Sequence, residues 1–133
     1  MVESSVQSTL ISDGYAAFNK NEWETIRELL CDDTEDDNGN VEFPLWERME
    51  HDEPPIRGKN AIIEHLQQMR EDGVKAKLLG VADHGHTSVT LDISTGGKGP
   101  HACADEVEFD ESGRIKVFRH CVAGHHEQAG SSS

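Results

Sequence analysis

The run His101 to Val122, HACADEVEFDESGRIKVFRHCV, constrains this chain more than any other. Two stretches of alternating side chains flank Asp110-Glu111-Ser112-Gly113, and Gly113 is free to take the positive φ that a tight turn requires. The run therefore reads as one hairpin with strands over 101–109 and 114–122. Successive side chains of a strand point to opposite faces. Cys103, Asp105, Val107 and Phe109 thus share one face, and Ala104, Glu106 and Glu108 the other. On the second strand Phe118, His120 and Val122 share a face. Such a hairpin puts Asp105 and His120 on the same concave, otherwise apolar wall, where a carboxylate beside an imidazole is a candidate proton-transfer pair. The carboxylate favours the imidazolium and burial disfavours it. The pair is then either poised near neutrality or locked as an ion pair that stabilises the sheet.

Two more strand-like runs precede the hairpin, over 75–82 and 87–94. They are punctuated by Asp83-His84-Gly85-His86 and by Thr95-Gly96-Gly97-Lys98-Gly99-Pro100. In the second of them Val89, Leu91 and Ile93 alternate with Ser88, Thr90 and Asp92. The first half of the chain has a different period. Val6, Leu10, Ile11, Tyr15 and Phe18 recur at helical spacing and predict a helix over 4–19. A second helix follows, with Asn21 placed to cap it, Glu24 three residues on, and Trp23, Ile26, Leu29 and Leu30 as its apolar stripe. A third runs from Gly58 to about Arg70, with Ile62, Ile63, Leu66 and Met69 facing inward.

Between the second and third helices, CDDTEDDNGN reads as a solvated acidic connector. As a calcium loop with Gly39 at the turn, it would put Thr34 first and Leu45 twelfth, so that pattern fails. VEFPLW is short and apolar, and Pro44 demotes it to an edge strand or irregular segment. Phe43 and Trp46 are expected to cover an opening or a partner surface. Residues 47–57, with Pro54-Pro55, read as a loop.

Helices first and an antiparallel meander afterwards is an α+β pattern. The expected architecture is a curved, mostly antiparallel sheet wrapped around the N-terminal helices as a cone, whose open end forms a pocket. Phe18, Phe43, Trp46, Cys103, Val107, Phe118 and Val122 are expected to line it, with Tyr15 reaching in from the first helix. With 133 residues, one domain over 1–124 is expected, followed by a flexible polar tail over 125–133.

The formal charge of −14 repels phosphate backbones and anionic lipid, so neither nucleic acid nor membrane is an expected partner. No apolar run approaches the roughly 20 residues of a membrane span, and no basic segment precedes the first apolar residues. The three cysteines, Cys31, Cys103 and Cys121, have no framework spacing and read as free thiols of a cytoplasmic protein. His84-Gly85-His86 and His125-His126 lack a completing carboxylate or thiolate at a standard spacing, so no metal site is assigned.

Taken in order, these elements resemble the nuclear-transport-factor-two-like superfamily, in its polyketide-cyclase-like (SnoaL-type) and ketosteroid-isomerase-like branch. Tyr15-Ala16-Ala17-Phe18-Asn19 with Trp23, Ile26, Leu29-Leu30 and Asp32-Asp33 carries the resemblance. So do Arg57-Gly58-Lys59-Asn60-Ala61-Ile62 and the closing Asp105 to Ile115 hairpin. The resemblance spans roughly residues 6 to 123. It implies a cystatin-like α+β roll, a homodimer formed through the outer sheet face, and cofactor-independent acid–base chemistry on a small, largely apolar carbonyl or hydroxy compound. Isomerases of this kind use an Asp base, a Tyr donor and a protonated Asp donor. The last of these matches Asp105, whereas the tyrosine position falls on Gly14 and the base position on Phe43. In the epoxide hydrolases of the fold, an Asp-Arg-Asp group acts, and His120 stands where its closing-strand acid would be. The catalytic candidates are therefore Asp105, His120 and, as a second donor, Tyr15. The alternative is a non-catalytic, ligand-binding or accessory dimeric domain of the same fold.

Overall fold

A computed structural model describes residues 2–48, 54–96 and 100–120. Three helices, α1 (Val2–Lys20), α2 (Trp23–Leu29) and α3 (Lys59–Glu71), accompany eight strands. The strands are β1 (Thr34–Glu35), β2 (Val41–Phe43), β3 (Leu45–Arg48), β4 (Ile56–Arg57), β5 (Lys75–His84), β6 (Thr87–Thr95), β7 (His101–Phe109) and β8 (Ile115–His120). Six of them form one sheet in the order β4-β3-β8-β7-β6-β5, and β1 and β2 pair separately. Among the described residues, β3–β8 is the one parallel pair of neighbours within the large sheet. The architecture is α+β, as the periodicities predict. No helix among the described residues is long and apolar enough to cross a membrane.

Burial of the helical stripes holds the layers together. Ala17, Phe18, Ile26, Leu30, Ile62, Ile63 and Leu66 pack with Trp46 into one core, and Ile11 packs with Val107 and Phe109 into a second. Asn19 ties the end of α1 to the sheet through both atoms of its amide. Its Nδ2 donates to the Ala76 carbonyl (2.7 Å) and its Oδ1 accepts from the Ala76 N–H (2.9 Å), taking the place of a neighbouring strand. The acidic connector does more than bring charge to the surface. Asp33 Oδ1 accepts the Lys59 N–H at 2.9 Å and so caps α3 from outside its own sequence. At the far end of the sheet, a Cβ on Gly96 would collide with the Gly73 carbonyl, so only glycine fits there.

Three local expectations fail. Asn21 does not cap α2. It takes a left-handed φ of 62°, its Oδ1 accepts from Arg70 Nε (3.1 Å), and the cap position passes to Glu22 without a side-chain hydrogen bond. The Leu45–Arg48 half of the Pro44 segment is an interior strand, flanked by β4 on one side and β8 on the other. Pro44 itself lies between β2 and β3, outside the ladder, so its missing N–H removes no bond there. Within 47–57, Ile56–Arg57 adds an edge strand.

Strand β6 decides what the site contains. Its register against β7 pairs Thr90 with Asp105 and Asp92 with Cys103. The face of β6 turned toward the helices is therefore the polar one. Ser88, Thr90 and Asp92 are buried, while Leu91 is 56% exposed on the outer face. A one-residue change of register would reverse both sets.

Candidate functional site

Beneath α1, a cavity of about 120 Å³ opens between the helices and the inner face of the sheet. Phe18, Ile26, Leu30, Trp46, Ile62, Leu66 and Phe118 give it apolar walls. The Trp46 and Phe118 rings stack with centroids 4.4 Å apart, and the His120 ring lies 6.3 Å from that of Trp46. One end is polar, where Tyr15, Asp92, Asp105 and His120 converge.

Four elements build that end. Helix α1 carries Tyr15, while β6, β7 and β8 carry Asp92, Asp105 and His120 on adjacent inward positions. His120 Nδ1 donates to Asp105 Oδ1 at 2.7 Å. The Tyr15 hydroxyl donates to Asp105 Oδ2 at 2.8 Å, with Thr90 Oγ1 at 3.1 Å and Asp92 Oδ1 at 3.3 Å from the same phenolic oxygen. The Asp92 and Asp105 side chains are themselves hydrogen-bonded.

The protonation states follow from this geometry. Burial pushes Asp105 up, but the hydrogen bond and charge of His120, with hydrogen bonds from Asp92 and Tyr15, outweigh it and hold Asp105 below the usual carboxylate value. Burial pushes His120 down. The hydrogen bond to Asp105, the neighbouring Cys103 and the Asp105 charge overcome that and raise His120 to about 10. Asp92 goes the other way. Burial first, then the hydrogen bond and charge of Asp105, push it up to about 8. Burial and the two carboxylates raise the Tyr15 hydroxyl well above its ordinary value. At neutral pH the site therefore holds an imidazolium, one carboxylate, one carboxylic acid and a neutral phenol. One cation balances one of the two carboxylates, and the second carboxyl keeps its proton.

The predicted site residues divide cleanly. Tyr15, Asp105 and His120 meet at the polar end, and Phe18, Trp46 and Phe118 line the walls. Cys103 and Val107 are buried but do not line the cavity. Cys103 Sγ lies against the His101 carbonyl, and Val107 packs with Ile11 and Phe109. Phe43 is absent from the lining as well. It sits on the short β2 strand, with Lys116 Nζ 4.5 Å over its ring. Val122 and Cys121 lie outside the described residues.

No protein-family model matches the chain, and no curated protein matches it. Solved structures do. A ketosteroid-isomerase-like protein from Kribbella flavida superposes with a TM-score of 0.70 over 86% of this chain and 75% of its own, at 15% identity. A polyketide-cyclase-like protein from Sinorhizobium meliloti gives 0.67 over 84% and 93%, at 14% identity. An LEH-like epoxide hydrolase from M. tuberculosis gives 0.63 over 84% and 78%, at 20% identity. The chain shares its fold with these proteins and with one from Cytophaga hutchinsonii described as NTF2-like, which gives 0.65 over 87% of this chain and 88% of its own, at 9% identity. Identities this low establish the fold and leave the chemistry to the side chains, because one fold hosts many activities.

Asp92 is the site residue that sequence reasoning missed. Its strand alternates an apolar set with a polar set, and neither period nor propensity says which one faces the helices. One signal was present. The polar set of β6 is matched by polar residues on α1, where Gln7, Ser8 and Tyr15 recur along the buried side. Ser8 Oγ donates to Asp83 Oδ2 (3.0 Å), and Tyr15 reaches Thr90.

Proposed function

We propose that this chain is a cofactor-independent proton-transfer enzyme of the isomerase, cyclase or dehydratase kind, acting on a small, largely apolar carbonyl or hydroxy compound. The observation that carries this reading is the 2.7 Å contact between Asp105 and His120 at the polar end of an otherwise apolar cavity. With Nδ1 committed to Asp105, the second ring nitrogen of the His120 imidazolium is the donor to a ligand oxygen. That favours donor over acceptor for the resting enzyme. Tyr15 spends its single proton on Asp105 and serves to hold that carboxylate. The one carboxylate and one imidazolium cancel, and apolar walls penalise a charged guest, so the ligand is neutral.

The experiment that tests the pair needs no substrate. The His120 ring is followed by NMR through a pH titration in the parent and in Asp105→Asn, with His120→Gln as the assignment control. The parent midpoint is expected well above the ordinary 6.5, toward about 10, and is expected to drop clearly in Asp105→Asn, where the main group opposing burial is gone. Identical titrations would show the two groups to be uncoupled and remove the basis of the reading.

A non-catalytic binding role has its own supporting observation, since the Asp105–His120 pair is closed on itself and most of the lining is apolar. A ligand bound equally well by the parent and by His120→Gln, and converted by neither, would favour it.

We also propose that a second copy of the chain covers the outer face of the sheet. Leu79 and Leu91 are each 56% exposed there, and Leu91 pairs with Ala104 and Ile93 with Ala102 in one apolar strip. Sedimentation equilibrium is expected to give a dimer that Leu91→Lys converts to monomer. A monomeric parent would exclude this assembly.

A further inference from the structure

We propose that Asp92 is a catalytic residue, the acceptor that takes a proton from carbon beside a ligand carbonyl while His120 donates to the carbonyl oxygen. This rests on the proton-transfer reading above and names the group that starts the reaction, together with the substrate class it requires, a neutral carbonyl compound bearing an acidic C–H.

Four groups at the polar end could in principle accept a proton. Asp105 lines the cavity, but His120 occupies its Oδ1 and Tyr15 its Oδ2. A carboxylate holding two donors is a weak base. His120 is protonated and its Nδ1 is engaged, and Tyr15 donates to Asp105. Asp92 shares a hydrogen bond with Asp105 but holds neither of these donors so closely. Its contact with the Tyr15 hydroxyl is 3.3 Å, longer than the 2.8 Å by which that hydroxyl reaches Asp105. It is only 3% exposed, yet its residue lines the cavity. Apolar surroundings make a carboxylate a stronger base, and a base is most effective when it titrates near the working pH. Burial puts Asp92 there, at about 8.

The groups facing Asp92 from every side agree with this. Helix α1 presents Tyr15, β7 presents Asp105 and, in register, Cys103, and β8 presents His120. From β5 the partner is Leu78, which carries no charge. The one nearby cation, His120, is bonded to Asp105 and lowers Asp92 less than burial and Asp105 raise it.

The step balances without a co-reactant. The ionised Asp92 takes the hydrogen from carbon as a proton, and the C–H electron pair becomes the new C=C bond. The carbonyl π pair moves onto oxygen, where the His120 N–H hydrogen-bonds to it. Return of the proton from Asp92 to the same carbon exchanges that hydrogen, and return to a conjugated carbon isomerises the compound. Nothing is oxidised or reduced.

The test uses the whole chain and 2-tetralone, a neutral bicyclic ketone with acidic α-hydrogens. Exchange of those hydrogens is followed by proton NMR in deuterated water, and binding is read independently from ligand line broadening. The parent is expected to accelerate exchange with a rate that rises through about pH 8. Asp92→Asn is expected to lower that rate by about 100-fold or more while retaining binding, and Asp92→Glu to restore part of it. Exchange by Asp92→Asn at the parent rate would overturn the Asp92 assignment alone. A parent that binds the ketone and exchanges nothing would overturn the proton-transfer reading and this inference together. A second measurement needs no ketone. The Asp92 carboxyl carbon is expected to titrate near 8, in coupling with Asp105, and a midpoint in the ordinary carboxylate range would overturn the inference whatever the probe does.

Discussion

Asp105→Ala is expected to destabilise the fold by about 3–5 kcal/mol, the range for removing one partner of a buried, hydrogen-bonded ion pair. The reason is what it strands. His120 loses the acceptor of its Nδ1 proton, and Tyr15 loses its 2.8 Å acceptor. Asp92 loses the carboxylate to which it is hydrogen-bonded. Tyr15 keeps contacts of 3.1 Å to Thr90 and 3.3 Å to Asp92, so part of the loss is recovered on the helix side. Urea unfolding of Asp105→Ala, His120→Gln and the double variant measures the coupling. The double variant is expected to be clearly more stable than the two single losses sum to, because a neutral glutamine at position 120 no longer needs a buried carboxylate. Strict additivity would mean that the 2.7 Å contact carries no net energy in solution.

The second large effect is a loss of stability with rising pH. His120 has a folded value of about 10 against an ordinary 6.5, so the folded chain binds the extra proton between them. Its contribution is complete below about 6.5 and is lost as pH rises through about 10. Asp92 acts with the same sign for a different reason. Its folded value of about 8 against 3.8 means that the unfolded chain gives up this proton first, so raising the pH from about 4 to 8 favours unfolding. Where the two windows overlap, between about 6.5 and 8, stability is expected to fall at up to about 1.4 kcal/mol per pH unit for each group. Urea midpoints measured every half pH unit check this. In Asp92→Asn the slope between about pH 6.5 and 8 is expected to be about half that of the parent and the fall between about 4 and 6.5 to vanish, and in His120→Gln the fall above about pH 8 is expected to vanish. A profile flat from about 6.5 to about 10 would contradict both assignments. At the acid end the sign reverses. Asp105 lies below its ordinary value, so its contribution is held above about 3.8 and is lost as pH falls below that.

The two expectations place the stability of this protein in the same four side chains as the proposed chemistry. A buried polar cluster that loses one member leaves the rest unsatisfied, so the site is expected to tolerate substitution poorly. The inward polar face of β6 is the structural cost of such a cluster. Ser88, Thr90 and Asp92 take up the helix-facing surface that Val89, Leu91 and Ile93 would otherwise fill, and Leu91 stays exposed as a result.

Much of this was legible in the residues themselves. The helical stripes of Ile11 and Phe18, and of Ile62, Ile63 and Leu66, gave the helices and their buried faces, although Val6 at the start of the first stripe is exposed, because burial of an amphipathic stripe is decided largely by local spacing. The hairpin around Gly113 and its alternation put Asp105 and His120 on one face, because a tight turn leaves little freedom in pairing. The meeting of Tyr15 with Asp105, ninety residues away, was an expectation from resemblance that only packing could realise.

Other features were not decided locally. The Pro44 segment lost its edge position because β4 pairs beyond it, a fact that no property of VEFPLW contains. Asn21 gave up a cap to reach Arg70, and Asp33 became the cap of a helix that begins twenty-six residues later. Above all, the sequence contains two equally regular faces of β6 and no local term that chooses between them. The choice is made by the register against β7, which sets Thr90 opposite Asp105 and so turns Asp92 toward the cavity. Side-chain alternation is a property of one strand and can be read from its residues. Which face meets the core is a property of the sheet and its helices together, and only the tertiary structure settles it.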